Sequence, residues 1–329
     1  MKKLYSLFLG ILCAIATQAQ ITYSNDTVNV VTITYNGTSA TVDISTNITN
    51  YITPTISGGH VSIVQSADVS ELTCGEITYR LTGSTTNGSF YMEGSYKATV
   101  SLYGVTITNP SGPAINIQNG KRIDVSCKKG TVSTLTDGAG GTWKGCLMCK
   151  GHLEFKGYGT LNIYGNTAHG IWSKEYIEIK NCTINIYKAV KDAINCNQYF
   201  YMESGSLYLE GYGSDGIQVS YETDDYGAII QEAENTGSFT QIGGTIVING
   251  NGSTGSEVKT EGTRTLSGGE LRIITALNVV FETDEQVAVY NILGTHLGVF
   301  SSRAAAVTNM PKGVYILKSN TNTQKIILQ

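Results

Sequence analysis

The sequence predicts an all-β chain wound as a parallel β-helix of about 23-residue coils, and three observations lead there. The first is a repeat. Segments beginning at His152, Tyr176, Tyr199 and Gly243 share one pattern, and aligning them puts Ile171, Ile194 and Ile217 23 residues apart. Val258 takes the same place once an 18-residue insertion, 222–239, is set aside. Upstream, Leu147 sits 24 residues before Ile171 and Ile115 sits 32 before Leu147, with the excess in the loop 137–144. The second is alternation. Each repeat carries three short apolar runs, such as Leu153 and Phe155, then Leu161 and Ile163, then Ile171, separated by Gly, Asn or Ser. Runs of period two that are too short for a helix read as strands with one buried face. The third is composition: 38 Gly, 4 Pro and 15% charged residues suit strands and tight turns rather than disorder. A fixed period of this size marks a solenoid, whose repeats bury their apolar faces only against each other.

The elements follow in chain order. Residues 1–19 carry two lysines, an apolar run and an Ala-rich end, the pattern of a secretory signal peptide, which predicts a secreted protein, extracellular or on the outer cell surface. No later segment has eighteen consecutive apolar residues, so no membrane-spanning segment is expected. Residues 20–62 alternate and are expected to form an N-terminal β cap on the first coil. The coils themselves are expected over 63–274. Beyond Ile274 the period is lost, and 275–329 reads as a small C-terminal β-sandwich-like segment. No 3.6-residue period is evident outside the leader. The net charge of −4, without a basic stripe, argues against a nucleic-acid partner.

Six cysteines follow the leader. Cys149 and Cys196 each lie two residues beyond an aligned apolar position, in the inward column with Ile117 and Val219, where free cysteine acts as a small hydrophobe. Export leaves disulfides open. A lone Cys146-x-x-Cys149 pair is a weak zinc signal.

Sugar binding requires exposed aromatic faces and polar side chains along a flat surface. Alternation places His152, Tyr176 and Tyr199 outward on one strand, beside Glu154, Glu178 and Tyr201. A second strand faces out with Asn162, Asn185 and Tyr208 and ends at Tyr164, Tyr187 and Glu210. Stacked coils stand about 4.8 Å apart, so such columns run alongside a polymer. Tyr176, Tyr199, Tyr201, Tyr164 and Tyr187 are the aromatic candidates, although Tyr is also common on β surfaces for propensity reasons alone. Lys150, Lys174 and Lys191 border the turns next to His169, and Lys174, Lys191 and His169 are candidates to meet uronate carboxylates.

For calcium the candidates are Asp192 and Asp215 at equivalent turns and Glu222, Asp224 and Asp225 in the insertion, where Glu232 and Glu234 follow. Calcium takes six to eight oxygen ligands, and such a loop supplies several. The same loop reads equally well as a solvated acidic segment, and Asp192 and Asp215 as turn caps. A lyase needs a Lys or Arg base close to bound calcium. Lys191 beside Asp192, one coil from Asp215, is the best arrangement present. Adjacent strand residues point to opposite faces, however, and no second motif supports catalysis, so a non-enzymatic protein is expected.

Three stretches, 77–125, 150–179 and 191–225, resemble the secreted carbohydrate-binding β-helix family, which is similar in architecture to pectate lyases. The resemblance implies right-handed winding, calcium bound to the coil, and non-catalytic binding of a plant cell-wall-type polysaccharide, cellulose or an acidic pectin-like glycan. The family's D-G-I triplet is intact at Asp215-Gly216-Ile217. It reads His169-Gly170-Ile171, Asp192-Ala193-Ile194 and Ser256-Glu257-Val258 elsewhere, which implies fewer bound ions. The stretches VAVYNILG, NMPKGVYIL and QKIILQ resemble the C-terminal sorting domain of type IX secretion without its Pro-Asn-Pro opening. This implies contact with secretion machinery or the cell surface. The alternative function is a structural or adhesive spacer. The two separate on whether the outward columns form an open groove or lie beneath the insertions at 128–145 and 221–240.

Overall fold

A computed structural model describes residues 20–25, 28–250, 253–274, 285–320 and 322–328. The signal-peptide expectation falls outside these residues. Strands dominate, and they wind into a β-solenoid of about ten turns, as the period requires. One coil consists of Leu153–Gly157, Thr160–Tyr164 and His169–Ser173, and the next of Ile177–Ile179, Thr183–Lys188 and Ile194–Asn197. A third follows in Tyr199–Met202, Ser206–Leu209 and Ile217–Ser220.

The register matches the sequence alignment along the inward columns, and departs from it where a bulge at the end of the second strand sets Tyr164 opposite Lys188 instead of Tyr187. Leu153, Ile177 and Phe200 stack, as do Phe155, Ile179 and Met202. Leu161, Ile184 and Leu207 form a second inward column. The third runs from Ile115 through Leu147, Ile171, Ile194 and Ile217 to Val258, every pair parallel. Ile171, Ile194 and Ile217 have no measurable exposure. Each such burial contributes about 1.5–3 kcal/mol, and the column is continuous because each strand pairs with the equivalent strand of the next coil.

Cys149 and Cys196 lie two residues further along these strands, in a neighbouring inward column with Ile117, Ser173 and Val219, fully buried, and all six described cysteines are free. Burial pushes the Cys149 thiol up to about 12 against the opposing Gly151 backbone N–H. A thiol so buried is packing material, because the thiolate is the reactive form.

At the N-terminal end, Val30–Gly37 and Ser39–Ser45 form one antiparallel pair, and Ile52–Ser57 and Gly59–Gln65 form another. One arm of each pairs parallel with the first full coil at Ile77–Thr85 and Gly88–Glu93. The other arms add one reversed strand to each sheet, and Gln20–Ser24 pairs parallel with Ser39–Ser45, so the parallel stack is covered at this end, the part of a solenoid that otherwise invites pairing with another chain.

At the other end, His296–Phe300, Val287–Asn291, Gly313–Lys318 and Thr323–Leu328 form a four-stranded antiparallel sheet in that order. Leu328 joins it to Ile274 of the last coil. Between the strands lies an α-helix, Arg303–Asn309, capped by the Ser302 hydroxyl, which accepts from Ala305 N–H. The sequence reading missed this helix because two turns of RAAAVTN are too short to show a 3.6-residue period.

The helix and sheet pack on the solenoid face that carries Tyr187, Tyr208 and Val247, so the segment's second layer is the solenoid itself. Arg303 fixes the contact, donating to the Tyr208 hydroxyl at 2.8 Å and to the Glu210 carboxylate. This overturns one sequence expectation. Asn162, Asn185, Tyr187 and Tyr208 do face outward from the coil, as alternation predicted, but they are buried under the C-terminal segment. Alternation identifies which way a side chain leaves the strand and carries no information about what covers it.

Candidate functional site

Three of the predicted site residues converge on a surface that the sequence reading did not single out. The strands carrying Ile115, Leu147, Ile171, Ile194 and Ile217 send their alternate residues to solvent, and these stack as Asn116, Met148, Trp172, Asn195, Gln218 and Lys259. Of these, Met148, Trp172, Asn195 and Gln218 floor a groove of about 840 Å³, whose margins include His169, Lys174 and Lys191. Lys144, Lys150 and Trp143 also line it. A groove along stacked coils runs in the direction in which a polymer extends.

The aromatic side chains are held by specific contacts. Lys144 Nζ lies 4.4 Å from the Trp172 ring centroid, a cation–π arrangement that settles both side chains. A Cβ on Gly145 would approach the Trp172 Cβ to 3.1 Å, so the small residue leaves room for the indole above it. Trp143 sits in the loop 137–144, and its Nε1 donates to Asp137 Oδ2 at 2.6 Å. The Asn166 N–H donates to the other carboxylate oxygen, and burial pushes the Asp137 carboxyl up against these donors. Gly141 is required here, because a Cβ would stand 1.8 Å from the Trp143 ring. The first of the two insertions therefore forms a rim that carries an aromatic residue. Thr223, at the start of the second, lines the opposite end, so neither insertion closes the groove.

The lysines differ in their partners. Lys174 Nζ lies 3.2 Å from Glu222 Oε1, and Lys259 Nζ lies 3.5 Å from Asp215 Oδ2. Among the described residues, Lys150 and Lys191 have no ion pair, and both are exposed. The groove thus carries free positive charge on a chain whose net charge is −4.

The candidate calcium ligands are not gathered together. Among the described residues no three His, Cys, Asp or Glu side chains lie close enough to hold an ion. Asp192 Oδ1 accepts from Asp215 N–H at 3.0 Å, and Asp215 Oδ1 accepts from Ser256 N–H at 2.7 Å. Each carboxylate ties down the turn of the next coil. His169 Nδ1 lies 3.2 Å from the Asp192 nitrogen, one rung earlier. The triplet residues are therefore a ladder of turn caps. Asp192 Oδ2 also takes Asn195 Nδ2 at 2.8 Å, and the Gln218 amide reaches both carboxylates at 3.1 and 3.3 Å. Glu222 is buried and accepts from Gln198 at 2.7 Å, Asp224 caps the N–H groups of Tyr226 and Ala228, and Asp225 is exposed. Two carboxylates already saturated by donors do not fit a cation that requires six to eight oxygens.

Burial opposes ionisation of Asp192, but His169, the Asp215 N–H and Asn195 outweigh it and hold its carboxyl below the usual range. Stability from this group is therefore full above the ordinary Asp pKa of about 3.9 and is lost as pH falls through the lowered folded value. Asp192→Asn is expected to destabilise at pH 7 and to approach the wild-type melting temperature near pH 2. A pH-independent difference counts against the capping role.

The predicted tyrosine column is differently employed. Tyr176 stacks on His152 at 4.0 Å and on Tyr199 at 4.5 Å, so both its faces are taken. The Tyr176 hydroxyl donates to Glu154 at 3.0 Å and that of Tyr199 to Glu178 at 2.7 Å. Burial, followed by these carboxylates, pushes both phenols above their ordinary range. Tyr201 is half-buried beside them, whereas Tyr164 packs against the cluster that buries Tyr187. The ladder binds coil to coil and offers little free ring face. The two tryptophans and Lys144 were missed. Trp172 lies inside the triplet strand, next to the inward Ile171, and its outward place in the alternation was the available signal, although the side chain is 8% exposed.

A family model described as carbohydrate-binding domain-containing protein matches residues 57–288. Among solved structures, one described as a polysaccharide lyase-like protein from C. thermocellum, a gadolinium derivative, is similar with a TM-score of 0.57 and 20% identity. That similarity covers 73% of this chain and 99% of the other, and at this identity it speaks to the fold. No curated protein matches the chain.

Proposed function

The chain belongs to a family of carbohydrate-binding domain-containing proteins, and on that premise we propose that the groove over Trp172 binds an acidic polysaccharide without cleaving it. The observation that carries this reading is the pair of unpaired cations, Lys150 and Lys191, on a groove lined by Trp143 and Trp172. Ammonium groups recognise uronate carboxylates, indole rings take the apolar faces of sugars, and Asn195, Asn197 and Gln218 supply amides for hydroxyls. The insertions border the groove, which favours binding over the spacer alternative.

Lyase chemistry asks for a base beside a site that acidifies the proton next to a carboxylate. Asp192, beside Lys191 in sequence, and Asp215, one coil on, are engaged by backbone N–H groups, Asn195 and Lys259. We extend the proposal to export, with the C-terminal segment resembling a sorting domain.

Electrophoresis through a gel containing polygalacturonate is expected to retard the protein, and a neutral glucan gel to retard it less. Incubation with polygalacturonate and calcium at alkaline pH is expected to give no ultraviolet-absorbing unsaturated product. Equal mobility in the presence and absence of polygalacturonate overturns the binding proposal, and a steady absorbance rise overturns its non-catalytic part.

A further inference from the structure

A second trough lies on a different face, where the C-terminal helix Arg303–Asn309 crosses the solenoid. It encloses about 490 Å³. One wall is a ladder of hydroxyls from successive coils, Thr160, Thr183 and Ser206, aligned by strand pairing and about 4.8 Å apart. The other wall is the helix, with Thr308 and the small Ala304 and Ala305. The buried Asn162 and Asn185 also line it, joined by Asn185 Nδ2 donating to Asn162 Oδ1 at 2.9 Å.

None of its lining residues is Asp, Glu, Lys, Arg or His. Among the described residues, the hydroxyls of Thr160, Thr183, Ser206 and Thr308 have no partner within the protein, and neither do the Asn162 amide hydrogens or the Asn185 carbonyl. Of the cations adjacent in sequence to the lining, Arg303 is engaged by Tyr208 and Glu210, and Lys188 donates to Asn166 Oδ1 at 2.8 Å.

We propose that this trough is a second saccharide site, specific for a neutral glycan, built jointly by the solenoid and the C-terminal segment. Its chemistry is complementary to an uncharged polyhydroxylated chain. Unpaired hydroxyls and amides exchange hydrogen bonds with sugar hydroxyls, and the apolar surface of Val132 and Ala305 meets sugar C–H groups. An anionic glycan finds no counter-charge there and bears the cost of desolvating its carboxylates. The ladder repeats along the coil axis, so successive sugars meet equivalent donors. The site is independent of the lysine groove and rests on its own residues.

The test uses the full chain and calorimetric titration with cellohexaose, xylohexaose and mannohexaose, with hexagalacturonate as reporter of the lysine groove. Thr183→Trp and Thr308→Trp fill the trough from opposite walls, and Lys191→Ala alters the other groove. The wild type is expected to bind at least one neutral hexasaccharide. Either tryptophan variant is expected to lower that affinity by at least about tenfold, the scale of losing one or two hydrogen bonds. Hexagalacturonate binding and the melting temperature are expected to hold. Wild-type indifference to all three neutral sugars overturns the inference, as does neutral binding that survives both tryptophan variants or falls only in Lys191→Ala. Loss of hexagalacturonate binding alone bears on the lysine groove and leaves this site standing.

Discussion

Lys150→Glu combined with Lys191→Glu is expected to lower affinity for polygalacturonate by about two to four orders of magnitude while leaving the melting temperature unchanged. Each lysine forms a charge-assisted hydrogen bond worth ~1.5–3 kcal/mol when it meets a carboxylate, so losing two removes about 3–6 kcal/mol, and reversed charge adds repulsion. Stability is spared because neither side chain has an ion pair within the described protein, and both are exposed. Lys174→Ala is expected to weaken binding less and stability more, since its ammonium lies 3.2 Å from the buried Glu222. The interaction should also weaken with salt, as screening shortens to about 3 Å at 1 M. Trp143→Ala serves as the complementary probe, removing a ring without altering charge. Retardation by polygalacturonate that is unchanged in the double variant and indifferent to salt sinks the electrostatic reading. The binding surface would then have to be sought among neutral side chains.

The coil register was legible because it is overdetermined. Ile171, Ile194 and Ile217 repeat in sequence at the spacing at which they stack, and a one-residue slip would expose every one of them. The lysine margin was legible in part, since Lys150 and Lys174 each follow equivalent strands and Lys191 precedes the next one. Trp172 was not, because the alignment fixed on the inward residues of its strand, and the outward neighbours Met148, Trp172, Asn195 and Gln218 share no chemical type. Trp143 comes from an insertion, whose placement depends on Asp137 and Asn166 rather than on the period. The tyrosine column was placed correctly by strand face, and its mutual stacking was not read from the sequence. Equivalent aromatics one coil apart stand within stacking distance of each other, so the repetition that makes them visible in sequence also consumes their faces. The burial of Asn185 and Tyr208 depends on a helix contributed by residues nearly one hundred positions further on, as the Arg303 contact to Tyr208 shows.

Ile194→Asp tests the register from which all of this follows. The isoleucine has no measurable exposure and is flanked by Ile171 and Ile217 on adjacent coils. Truncating such a side chain costs about 2–5 kcal/mol through lost burial and cavity, and an unpaired charge in the same space costs several more. A sum above ~5 kcal/mol approaches the whole stability of a typical domain, ~5–15 kcal/mol. Because each coil contacts only its neighbours, the expected result is loss of the cooperative transition in the coils around 171–217, seen by hydrogen exchange before the N-terminal cap opens. Two controls carry the same new side chain. Asn197→Asp, outward and partly exposed, is expected to stay within about 0.5 kcal/mol of wild type, as surface substitutions do. Asn185→Asp points outward too, yet it lies 8% exposed beneath the C-terminal helix with its amide donating to Asn162. Its expected cost is intermediate, ~1–3 kcal/mol, the range for leaving a buried polar group unsatisfied. The order Ile194, Asn185, Asn197 thus separates strand register from what covers the strand. If Asn185→Asp matches Asn197→Asp, the C-terminal segment does not seat on that face. If Ile194→Asp matches either, the inward column is misplaced and the groove floor with it.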